Sequence, residues 1–123
     1  MGTFRVTVEI GDPQGEHFEA VAALVDTGAS YTAVPRSLLE RLWVRSHTHA
    51  PFVLADQRQV EYQVGRTWVR IDDRVEVTLV VFGEEGSEPI LGAVTLEEFL
   101  LAPDPVSQRL IPVPGLLKGL ARH

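Results

Sequence analysis

Leu24-Val25-Asp26-Thr27-Gly28-Ala29-Ser30 is the stretch whose reading decides the fold. Leu24 and Val25 end an apolar run over residues 17–25 that reads as a buried strand. Asp26 sits where that strand stops, so its carboxylate is presented at a strand end. Gly28 allows close backbone approach and can offer its N–H to the carboxylate. Thr27 carries a hydroxyl that can brace the loop from below, and Ala29 is small enough to lie against the acid. The bland alternative is an Asx-type turn joining a strand to a loop.

Strand signals surround this stretch. Residues 4–10 alternate Phe4, Val6, Val8 and Ile10 against Arg5, Thr7 and Glu9, a period of two. Gly11-Asp12-Pro13-Gln14-Gly15 is a turn cluster, so the first two runs read as a hairpin delivering the chain into Asp26. Pro35 opens a short helix over residues 35–42, with Leu38, Leu39 and Leu42 on one face. A second hairpin follows. Residues 51–55 are apolar, Asp56, Gln57, Arg58 and Gln59 make a polar tip, and Val60, Tyr62 and Val64 alternate on the return.

Strands are expected at 67–71 and 75–82, separated by Asp72-Asp73-Arg74, where turn solvation accounts for both acids. Residues 83–89 read as a solvated acidic loop carrying Glu84, Glu85 and Glu88. Ile90-Leu91-Gly92 leads into a helix over 93–101, with Thr95 expected as N-cap and Glu98 at the capping-box spacing. Asp104-Pro105 breaks the chain again. Residues 110–113 form a last short strand, and 114–123 are a fraying tail. The class expected is all-β: one small, closed, barrel-like domain over 1–113 with a flap hairpin and one or two short helices.

Ala23-Leu24-Val25-Asp26-Thr27-Gly28-Ala29 resembles the active-site motif of the retroviral-type, or retropepsin-like, aspartic protease family. Those enzymes carry two apolar residues and a glycine leading into a helix some sixty residues later, as Pro89-Ile90-Leu91-Gly92 does here. The resemblance implies that Asp26 is catalytic and that Thr27, Gly28 and Ala29 support its loop. It makes residues 52–66 the flap. Ala55, Asp56, Gln57, Arg58, Gln59, Ile90 and Leu91 become candidates for substrate or flap contacts, with Leu24 nearby.

There are two departures from the family pattern. The tip has no glycine before Gly65, whereas viral flap tips are glycine-rich. Pro112 and Pro114 lack N–H groups for pairing, so a dimer sheet of interleaved termini is not the expected closure.

The chain has one such motif, yet the chemistry needs two carboxylates. Like charges at short range cannot both ionise, so a facing pair shares one proton, the behaviour for which aspartic proteases are known. A C2 homodimer with two Asp26 side chains across the axis is the economical solution. The expected activity is an endopeptidase acting on a peptide or protein substrate through an Asp-activated water, with no metal or organic cofactor. The rival is a catalytically inactive binding or scaffold module on the same fold.

Composition narrows the remainder. The 123 residues are 45% hydrophobic and 23% charged, as in an ordinary globular protein. No apolar run approaches a membrane span. The first residues lack the basic and apolar regions of a secretory leader, so none is expected. Cysteine is absent, which removes disulfide and thiolate chemistry and suits a cytoplasmic location. A net charge of −6 argues against a nucleic-acid partner. His47 and His49 stand two apart with no third ligand, so a metal site is not expected there. Trp43 and Trp68 are expected in the core or at the flap base.

Overall fold

The alternation over residues 4–10 forms β1 (Arg5–Gly11), which pairs antiparallel with β2 (Phe18–Val25), Arg5 facing Leu24 and Gly11 facing Phe18. A computed structural model describes residues 3–117. Of the expected tail, residues 118–123 lie outside the described residues. The β1–β2 turn is organised by Asp12, whose Oδ1 accepts the N–H groups of Glu16 (2.8 Å) and His17 (3.3 Å). Gly15 takes the left-handed conformation there (φ +70°), which costs glycine nothing.

The other strands are β3 (Thr32–Pro35), β4 (Ser46–Val53), β5 (Gln59–Ile71), β6 (Arg74–Gly83), β7 (Ile90–Leu91), β8 (Leu101–Asp104) and β9 (Arg109–Pro112). Two short helices, α1 (Arg36–Arg41) and α2 (Ala93–Glu98), complete the elements among the described residues. The main sheet runs β1-β2-β7-β3-β6-β5-β4, and a further β1–β5 pairing closes six of these strands into a ring. β4 stays outside the ring, joined to β5 alone. The all-β class read from the sequence is therefore the one the chain adopts.

The inward faces of the ring and the apolar faces of both helices share one core. Ile10, Val69, Val80, Leu39 and Leu91 are fully excluded from solvent, with Phe99 nearly so. Side chains of this kind each contribute about 1.5–3 kcal/mol when buried.

Several local expectations change. Residues 59–71 are one 13-residue strand rather than two, because the segment before Gly65 pairs with β4 and the segment after it with β6. Helix α2 stops at Glu98 rather than reaching residue 101, since Leu100 adopts a left-handed backbone (φ 55°) and turns the chain into β8. Thr95 is not the N-cap; that position is Gly92, and Thr95 is buried inside the helix. Trp43 is 81% exposed and not a core residue. Trp68 is half-buried, covers Gly15 and donates its Nε1–H to the Pro13 carbonyl (3.1 Å). The last strand pairs within its own chain as the β8–β9 hairpin, Leu101 facing Pro112.

Candidate active site

The loop carrying Asp26 is held by the two residues of β7. Strand β7 lies between β2 and β3, parallel to β2 (Leu24 beside Ile90, Val25 beside Leu91) and antiparallel to β3 (Ala33 beside Ile90). Immediately beyond this ladder the Asp26 N–H donates to the Leu91 carbonyl at 3.1 Å. The Asp26 carbonyl accepts the Ala29 N–H at 3.1 Å, and its Oδ1 accepts the Gly28 N–H at 2.9 Å. Backbone and carboxylate are both fixed, while Oδ2 accepts no hydrogen bond among the described residues. Gly28 thus does what its residue type suggested, presenting an N–H to the acid.

On its far side the loop is tied to α2. Ala93 N–H donates to the Ala29 carbonyl (2.9 Å) and Val94 N–H to the Ser30 carbonyl (3.0 Å). Beneath it the Gly92 N–H donates to Thr32 Oγ1 at 3.1 Å. Thr32 Oγ1 lies 2.6 Å from Thr95 Oγ1, which lies 2.9 Å from Thr78 Oγ1. All three threonines are buried, and each hydroxyl is satisfied within the chain Thr78–Thr95–Thr32–Gly92. Bracing from below was expected of Thr27. Thr32 supplies it instead, and Thr27 is exposed with no hydrogen bond of its side chain among the described residues. Gly92 has no alternative: a Cβ there would lie 2.5 Å from the Tyr31 carbonyl carbon and 2.9 Å from the Thr32 nitrogen.

Above Asp26 the β4–β5 hairpin closes a cleft of about 850 Å³. Asp26, Gly28, Ala29, Ser30, Tyr31, Ala33, Val81 and Ile90 form its floor and wall, and Pro51, Phe52, Val53, Leu54, Ala55, Gln57 and Tyr62 come from the hairpin. Asp26 is the sole carboxylate in this lining. The remaining surface is mainly apolar, with hydroxyls from Ser30 and the two tyrosines and the Gln57 amide. Tyr31 meets Phe52 edge-on (5.9 Å between centroids), and Phe52 lies 6.2 Å from Tyr62. Tyr62 donates its hydroxyl to Glu84 Oε2 at 2.8 Å, and that carboxylate pushes the phenol's pKa up.

The hairpin tip falls at residues 54–58 rather than 56–59, because Gln59 already pairs with Val53. The Gln57 N–H donates to the Leu54 carbonyl (2.9 Å), and Leu54 N–H to the Arg58 carbonyl (2.8 Å). Gln57 sits at φ 74°, in the position glycine usually takes in such loops. Arg58 Nε donates to Asp56 Oδ2 at 2.7 Å, and the ion pair holds the Asp56 carboxyl below the usual range. Among the expected flap and substrate residues, Ala55, Gln57 and Ile90 line the cleft. Asp56, Arg58 and Gln59 do not, and Leu91 is wholly buried behind it.

The acidic loop is not merely solvated. Glu84 takes the Tyr62 hydroxyl, Glu85 takes both the N–H (2.7 Å) and hydroxyl (2.8 Å) of Ser37, and Glu88 pairs with Arg5. The sequence reading gave no role to Tyr31 and Thr32, included Phe52 only within the flap, and read Glu84 as a solvated acid. The β-alternation placing Phe52 and Tyr62 in facing strands was the one available signal. His47 and His49 are exposed on β4. Asp12, Glu16 and His17 bring their ligand atoms within 4.8 Å of one another at the β1–β2 turn, though Asp12 Oδ1 is already engaged by backbone N–H groups.

Comparison with known proteins bears on the family and the fold. The family described as "gag-polyprotein putative aspartyl protease" matches residues 15–98. The structure is similar to that of EIAV protease complexed with the inhibitor HBY-793, at 20% sequence identity and a TM-score of 0.55. The match covers 80% of this chain and 88% of that one, and at this identity it is a likeness of fold. No protein of curated function matches the sequence.

Proposed function

This chain belongs to the retroviral-type aspartyl protease family, and from that premise we propose that it is an aspartic endopeptidase whose active site is completed by a second identical chain. The observation that carries the proposal is the single Asp26, held by Gly28 and Leu91 at the floor of a flap-covered, mostly apolar cleft. One carboxylate cannot act as base and acid at once. A two-fold axis beside Asp26 supplies the second, and the pair shares one proton.

In the proposed reaction the ionised member takes a proton from a water held between the two acids. The water oxygen attacks the scissile carbonyl carbon while the protonated member donates to the carbonyl oxygen. As the diol collapses, one hydroxyl returns its proton to the acid that had donated to the carbonyl oxygen, C=O re-forms, the C–N bond breaks, and the proton taken from water passes to the leaving nitrogen. No covalent intermediate forms. The Gly28 N–H on Oδ1 keeps Asp26 oriented throughout. Thr27, exposed next to Asp26, falls close to the axis by its position in the chain. The flap hairpin covers an extended peptide, and the apolar lining favours uncharged side chains.

The test is incubation with an unfolded protein at several pH values, with and without a peptide-like hydroxyl mimic of the diol. Cleavage that the mimic stops supports the reading. A folded protein that cleaves nothing and ignores the mimic points to a binding module that retained the fold.

A further inference from the structure

The loop between β6 and β7 touches the flap. Its first glutamate, Glu84, accepts the hydroxyl of Tyr62, a residue of the flap's return strand. The Tyr62 ring lies against Phe52 of the outgoing strand, and Phe52 meets Tyr31 five residues after Asp26. The same loop is anchored elsewhere by Glu85 on Ser37 and by Glu88 on Arg5, and its last residue, Pro89, accepts the Leu24 N–H beside the catalytic loop (2.9 Å). A charged acceptor on an anchored loop therefore grips the return strand of the flap. Arg36 adds a longer bond to Gln63 on the same stem (3.3 Å).

We propose that Glu84 is a positioning residue, which through the chain Glu84–Tyr62–Phe52–Tyr31 latches the flap over the cleft and so sets the affinity for an extended peptide. The part concerning peptide affinity rests on the protease reading above; the latch itself does not. The physical basis is preorganisation. A flap already fixed near its closed position loses less conformational freedom when a peptide binds beneath it. Glu84 touches neither the reacting atoms nor the cleft, so its removal affects binding more than chemistry.

Tyr62→Phe deletes one oxygen and keeps the ring packing, which makes it the cleanest probe. Hydrogen exchange of the backbone amides of residues 50–60 reads the latch without reference to activity. Exchange should quicken about three- to tenfold in Tyr62→Phe and Glu84→Ala, the range of one net hydrogen bond, with the double variant no faster than either single one. Glu84→Gln, which keeps an acceptor oxygen, should restore most of the protection. Glu88→Gln, which removes a charge from the same loop but no flap contact, should leave these amides unchanged. Tyr62→Phe and Glu84→Ala should also bind the hydroxyl mimic more weakly by a similar factor and raise KM with kcat nearly constant, and Glu88→Gln should do neither. Failure of the wild-type protein to bind the mimic would remove the protease reading and leave the latch standing on exchange alone. Unchanged flap exchange in Tyr62→Phe and Glu84→Ala, or equal acceleration by Glu88→Gln, would overturn the latch.

Discussion

The backbone N–H of Asp26 donates to the carbonyl of Leu91, 3.1 Å away in space although the two residues are far apart in the sequence. The Asp26 loop and the Ile90-Leu91-Gly92 segment are thus one structural unit, and changes in either should be felt by both.

Gly92→Ala tests that unit by overpacking. The added methyl would press on the Tyr31 carbonyl and the Thr32 nitrogen, both backbone atoms that cannot swing aside. A loss of about 1–3 kcal/mol is expected from forced overpacking, measured by urea unfolding. Wild-type stability would show that the Tyr31 backbone yields freely.

Thr95→Val tests the hydroxyl chain. The substitution preserves shape but strips Thr32 and Thr78 of their shared partner inside the core. Thr78 then has no partner among the described residues, at a cost of about 1–3 kcal/mol, while Thr32 loses one bond and still accepts the Gly92 N–H. Stability should fall more for Thr95→Val than for Thr78→Val, because Thr32 keeps its bond to Thr95 in the latter. Equal losses would contradict the central place given to Thr95.

Fold and site were legible to different depths. The alternation of Phe4, Val6, Val8 and Ile10 and the apolar run into Asp26 were readable because period and burial coincide there. Strand β3 was not, because four residues pairing in parallel with β6 some fifty positions later leave no local trace. Thr95 imitated a capping box by its spacing to Glu98, while its hydroxyl served a core that sequence cannot display. The turn at Leu100 had no glycine to announce it. The roles of Glu84, Glu85 and Glu88 were invisible for a related reason: acids in a loop look alike until their partners, 22, 48 and 83 positions away, are known.

The Asp12 turn predicts how stability follows acidity. The Glu16 N–H on the Asp12 carboxylate lowers its pKa, with His17 adding to the effect. A depressed folded-state value stabilises the protein fully above the unfolded value, and that contribution is lost as pH falls through the folded one. The midpoint of thermal unfolding should therefore drop between about pH 5 and pH 2. Asp12→Asn should drop less steeply over the same window, since its side chain does not titrate. Parallel curves would mean that the turn carries none of the acid sensitivity.

Gln57→Gly addresses the flap tip. Glycine removes a left-handed strain of about 1–2 kcal/mol and returns about 0.5–1 kcal/mol as extra freedom of the unfolded chain. Thermal stability should hold or rise slightly. A marked fall would show that the Gln57 side chain, and not its backbone, organises the tip.

The central claim is that two chains each contribute one Asp26 to one site. It is tested most directly by mixing wild-type protein with Asp26→Asn, letting subunits exchange, and measuring peptide cleavage at constant total chain concentration. Asparagine keeps the size of the side chain but can neither share the proton nor act as the base. If both aspartates are needed, activity follows the square of the wild-type fraction, and an equal mixture retains about one quarter of the full rate. Retention of about one half, the proportion expected of chains acting alone, would contradict the account.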